Sequence, residues 1–235
     1  MFRDEAGAVV GILARVEEEL PPHLHEAIID LGPRAVRPLI DTLVHRARWS
    51  GYASIHAARL LGELEADEAV RPLLGVLGEL GRQFDDLSGP RLTLWEQAGD
   101  ALTALGRVAL EPTLAAYHRS RDELHRGVLV GVLARMGVRD ERIFELLLEQ
   151  LGEYPDLTVG QLADYGDPRG VEVLRRHLAT LDITPGYWPS DDEVGRVVGA
   201  IQRLGAELTA EEQEALERPR GRSLLTEVFG RGLRA

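Results

Sequence analysis

Apolar residues recur along this chain at three- and four-residue spacing, and the plainest case is Ala53–Leu77. Ile55, Ala58 and Leu61 lie three apart with Ala57 and Leu60 beside them, which makes one apolar helical face. Small alanines on that face let another helix approach closely. Gly62 follows where the helix should stop, so it is expected to take the left-handed backbone of a C-terminal cap. Asp67 is the expected N-cap of the next helix. Its core stripe is Val70, Leu73, Leu74 and Leu77, at i, i+3, i+4 and i+7. Pro72 falls in the first turn, where its missing N–H costs little. The stretch predicts a helical hairpin.

The hairpin recurs with variation. Leu31-Gly32 precedes Val36-Arg37-Pro38-Leu39, and Leu105-Gly106 precedes Leu110-Glu111-Pro112. Met136-Gly137 precedes Ile143, Leu146 and Leu147, and Tyr165-Gly166-Asp167-Pro168 precedes Val171 and Leu174. Leu204-Gly205 precedes a polar helix. Three of the five steps between glycines 32, 62, 106, 137, 166 and 205 are 29–31 residues, and the other two contain insertions. A fixed period of two-helix units predicts an all-α fold, an α-solenoid of about six repeats with helical caps, each unit burying its face against its neighbours. The expected layout is one continuous domain: a capping helix over 1–22, repeats over 23–206, and a capping helix with a basic tail over 207–235.

Ala57-Ala58-x-Leu60-Leu61-Gly62-x-Leu64 followed by Ala69-Val70-Arg71-Pro72-Leu73-Leu74 resembles a HEAT-like repeat of the phycobilisome-lyase type. The likeness covers residues 24–205. Tyr52-x-x-Ile55-His56-Ala57-Ala58 and Leu162-x-x-Tyr165-Gly166-Asp167-Pro168-Arg169 resemble bacterial HEAT-repeat proteins, some of which end in a Cys-rich zinc motif, SEC-C. This chain has no cysteine, so that motif is absent. The resemblance implies a fold more than a function, since such repeats serve many unrelated proteins.

Composition narrows the chemistry. Hydrophobic residues make up 44% of the chain and aromatics 5%, which suits helix-on-helix packing. No apolar run is long enough to cross a membrane. Ala6–Ala14 is flanked by acids and reads as an amphipathic helix rather than a signal peptide, so a cytoplasmic location is expected. All 27 basic residues are arginine, which leaves no lysine for Schiff-base chemistry. A net charge of −12 repels a phosphate backbone and argues against nucleic acid as a partner.

Arg3–Leu20 is expected to be one helix ended by Pro21-Pro22. His23-Leu24-His25-Glu26 has the residue types of a metal site, but polar residues at a helix start explain it, with Glu26 favoured near the positive end of the dipole. Deoxyhypusine hydroxylase is a HEAT-like di-iron enzyme with His-Glu pairs in several first helices. Only His25-Glu26 fits that pattern, so a dinuclear site is not expected. His45-Arg46-x-Arg48 and His118-Arg119-x-Arg121 form a repeated motif at second-helix ends. Cations there face the partial negative charge of the last carbonyls. An anion site at one edge is the other reading.

In a HEAT-type solenoid the second helices would line the concave face. Outward positions there include Arg37, Asp41, His45, Arg71, Glu79, Glu111 and Arg119. The interruptions Trp49–Tyr52, Gly81–Thr93 and Asp182–Ser190 all follow a second helix and so share one edge. They bring Trp49, Tyr52, Phe84, Trp95, Tyr187 and Trp188 towards it, and loop aromatics make good binding anchors. Thr93/Glu96, Ser120/Glu123, Ser190/Glu193 and Thr209/Glu212 read as capping boxes. After Glu217 the tail carries five arginines and one acid, Glu227. No glycine-rich phosphate loop, Gly-x-Ser-x-Gly elbow or His-Glu-x-x-His is present. No cofactor is expected. The expected partner is a protein or peptide held by the concave face and the edge loops, with self-association open. The alternative is a lyase-like or other enzyme with a small ligand in the groove.

Overall fold

The computed structural model describes residues 2–45, 51–81, 88–181 and 188–217. Among them are thirteen α-helices and no strand, so the protein is all-α. No helix among the described residues is long and apolar enough to cross a membrane. The chain divides into two compact units, Met1–Ile143 and Phe144–Ala235.

The first unit contains α1 (Phe2–Gly11), a 3-10 turn (Ile12–Arg15), α2 (Pro22–Leu31), α3 (Pro33–Val44) and α4 (Tyr52–Glu63). A second 3-10 turn (Asp67–Ala69) leads to α5 (Val70–Gly81), α6 (Pro90–Leu105), α7 (Arg107–Arg119), α8 (Glu123–Arg135) and the start of α9 (Glu141–Glu153). Helices α3, α5 and α7 each pack on the next, and so do α4, α6 and α8. The expected helix Arg3–Leu20 is shorter: it stops at Gly11, tightens into the 3-10 turn and ends with Val16 N–H bonded to Leu13 O at 3.1 Å. Glu17, Glu18 and Glu19 would have faced the negative end of a continued helix, which disfavours extension.

Helix α4 is the centre of this unit, packed against α3, α6 and the first 3-10 turn. Ala53 to Ala58 are all buried, as are Leu60, Leu61 and Gly62. Each fully buried leucine contributes about 1.5–3 kcal/mol of transfer free energy. Its buried polar groups are bonded: Ser54 Oγ donates to Thr42 O at 3.3 Å, and the His56 Nε2–H donates to Glu17 O at 2.7 Å. The second bond fastens the segment between α1 and α2 onto α4.

The glycine expectations hold at five places and fail at one. Gly32, Gly106, Gly137, Gly166 and Gly205 all have positive φ. Gly62 does not. It lies inside α4, and a Cβ there would sit 3.0 Å from Ala101 Cα on α6. The cap of α4 is made three residues later by Glu65, at φ 49. Glu65 N–H bonds Gly62 O and Ala66 N–H bonds Leu61 O, which is a complete Schellman pair. Asp67 is likewise not an N-cap: it opens the 3-10 turn, and α5 begins at Val70.

The second unit holds the rest of α9 with α10 (Pro155–Tyr165), α11 (Arg169–Thr180), α12 (Trp188–Arg203) and α13 (Ala210–Glu217). Helix α12 packs on both α10 and α11, around Leu162, Leu174, Val197 and Ile201. Of the four expected capping boxes, Thr209/Glu212 forms: Thr209 N–H donates to Glu212 Oε2 at 2.7 Å, and Glu212 N–H to Thr209 Oγ1 at 3.2 Å. Thr93 falls inside α6, because Pro90 starts that helix three residues earlier. Ser190 falls inside α12 for the same kind of reason, the helix having begun at Trp188. At α8 the cap is Asp122, whose carboxylate accepts His125 N–H, and Ser120 lies outside the helix.

Candidate functional site

In the first unit a groove of about 850 Å³ opens along α5 and α7. Helix α5 supplies Pro72, Leu74, Gly75, Val76, Gly78 and Glu79, and Val44 closes one side from the end of α3. Across from them stand Ala116 and Arg119 of α7, the turn Ser120-Arg121-Asp122, and His125 of α8. The floor is small or apolar because α5 places two glycines three residues apart. At Gly75 nothing lies within 4 Å of where a Cβ would be, so the groove is open there. At Gly78 a Cβ would meet the His125 ring at 3.1 Å, so the missing side chain is what lets α8 approach α5.

The polar wall is organised by the start of α8. Asp122 Oδ1 accepts His125 N–H at 2.9 Å. Ser120 Oγ accepts Asp122 N–H at 3.2 Å and lies 3.2 Å from both Asp122 O and His125 Nδ1. Glu79 has an interaction partner of its own. Arg119 Nε donates to Ala115 O at 3.0 Å, one turn back in its own helix, and not to the last carbonyls that the sequence led one to expect. Neither Arg119 nor Arg121 has an acidic partner among the described residues. The groove lining thus carries two acids, Glu79 and Asp122, and two arginines, Arg119 and Arg121.

A second groove, of about 650 Å³, lies in the other unit along α10 and α12. Its arginines are committed. Arg196 pairs with Asp156, Arg203 pairs with Asp164 at 3.2 Å, and Arg203 Nη2 donates to Gly160 O at 2.8 Å. These bonds tie α12 to α10 and serve the packing of that unit.

The structure distributes the residues singled out in the sequence unevenly. Arg37, Asp41 and Arg71 are exposed on α3 and α5, but they do not line the groove. Glu111 is on α7 and is taken by Arg142, whose Nη1 and Nη2 donate to its two oxygens at 3.2 and 2.6 Å. That bond from Arg142 holds the Glu111 carboxyl below its ordinary range. Asp140 joins the same arginine at 2.8 Å and is lowered in the same way. Glu111 is therefore a bridge between α7 and the start of α9. Tyr52 is half-buried at the start of α4 and stacks on His56, with centroids 6.4 Å apart. Trp95 is half-buried in the second turn of α6, not on a loop, since the helix begins at Pro90. Trp49, Phe84 and Tyr187 lie outside the described residues, as does the side chain of Trp188, whose backbone opens α12. His25 bonds Glu63 of α4 at 2.5 Å, tying α2 to α4.

Sequence reasoning placed Glu79 and Arg119 on the exposed face of the second helices, and the groove includes both. It missed Gly75, Gly78, Ser120 and His125. The available signal was the glycine pair three apart in α5, next to the His118-Arg119-x-Arg121 motif. Compared with protein-family models, with curated proteins and with solved structures, the chain finds no match in any of the three.

Proposed function

We propose that this chain is a non-enzymatic interaction module, a HEAT-like solenoid of two-helix repeats that holds a segment of a partner protein. Support for the repeat comes from the glycine-linked hairpins and from the packing of alternate helices within the first unit. The observation that carries the function is the groove on α5 and α7, with its small apolar floor and the charged side chains of Glu79, Arg119, Arg121 and Asp122 around it. Binding sites of this kind combine a desolvated floor with polar groups that orient the guest. The net charge of −12 argues against nucleic acid.

The test is affinity capture from the native cell extract with the wild type beside Gly75→Trp, which fills the groove, both first shown to be folded by circular dichroism. A stoichiometric protein held by the wild type and lost from the variant is the expected outcome. Equal capture by both baits, or by neither, sinks the groove as the site.

One observation favours a second reading, an enzyme acting on a small ligand in the same groove. Ser120 Oγ lies within reach of His125 Nδ1, which is the contact of an activated nucleophile. Against it, Ser120 is held by the backbone of its own turn and Asp122 bonds the His125 backbone instead of its ring. A fluorophosphonate probe decides the matter: the module reading expects no labelling at Ser120.

A further inference from the structure

We draw no further inference here: the strongest candidate, the groove of about 850 Å³ along α5 and α7, has a lining in which Glu79 and Asp122 balance Arg119 and Arg121, and nothing in the structure shows what covers it.

Discussion

Hairpins α4–α5 and α6–α7 carry the same Leu-Gly step, Leu61-Gly62 in one and Leu105-Gly106 in the other, and they put the glycine to different uses. Gly106 is the whole connection between two helices. Its φ of 53 and ψ of −123 let its N–H bond Thr103 O while its own carbonyl accepts Ala109 N–H. Gly32 does the same between α2 and α3, with φ 55 and ψ −131. Gly62 instead sits in helical backbone and serves as a contact surface for Ala101 of α6. Its hairpin turns through Glu65 and a 3-10 turn. A glycine at a recurring place can thus answer to the backbone in one repeat and to the neighbouring helix in another, and substitution tells the two apart.

The largest effect is expected at Gly106. Alanine there is not crowded, since the nearest atom, Met136 O, is 3.6 Å from its Cβ. It would hold a backbone region that L residues avoid, at about 2–3 kcal/mol. Gly106→Ala should lower the urea midpoint, and no substitution on a neighbouring helix should restore it. Gly62→Ala should cost about 1–2 kcal/mol, as overpacking against α6 offset in part by better helix propensity. Here a partner change should help: Ala101→Gly removes the atom at 3.2 Å but leaves its Cα at 3.0 Å, so rescue is expected to be partial. Full additivity of the two substitutions would refute the contact reading.

Glu65→Gly should act in the opposite direction. The left-handed φ of 49 costs a glutamate about 1–2 kcal/mol, and glycine returns part of that as unfolded-state entropy. A net gain of about 0.5–1 kcal/mol in thermal or urea unfolding is expected. The same substitution has no counterpart at Gly106, where glycine already occupies the turn.

The smallest effect concerns the end of α4, which is fastened by its side chain and not only by its turn. Burial pushes the Glu63 carboxyl up, but the bonds from His25 at 2.5 Å and Arg59 at 2.7 Å outweigh it and hold it below its ordinary value of 4.5. A folded-state value below the unfolded one means that the contribution is present above the unfolded value. It is lost as pH falls through the folded value. Stability of the wild type should therefore converge on that of Glu63→Gln as the pH drops below 4.5, and the two should separate above it. Urea midpoints that stay parallel across that window would refute the assignment. The effect is small because Glu63 and His25 are each about one-third exposed and Arg59 about half.

What the amino-acid sequence determined by itself was local. Three- and four-residue periodicity marked the helices, and Gly32, Gly106, Gly137, Gly166 and Gly205 marked turns, because a period and a left-handed backbone depend only on near neighbours. Thr209/Glu212 was legible as a capping box for the same reason. Thr93 and Ser120 were not, because Pro90 and Asp122 compete for the helix start and only the packed backbone selects between them. The groove was half legible: Glu79 and Arg119 lie on the helices expected to present it, and the His-Arg-x-Arg motif supplies its two arginines. The rest was settled by the tertiary structure. Gly62 faces Ala101, Glu63 meets His25, and Gly78 admits His125, each between residues far apart along the chain. Whether an arginine is paired with an acid, as Arg203 is with Asp164, depends on which helix is packed beside it, and no periodicity along the chain encodes that.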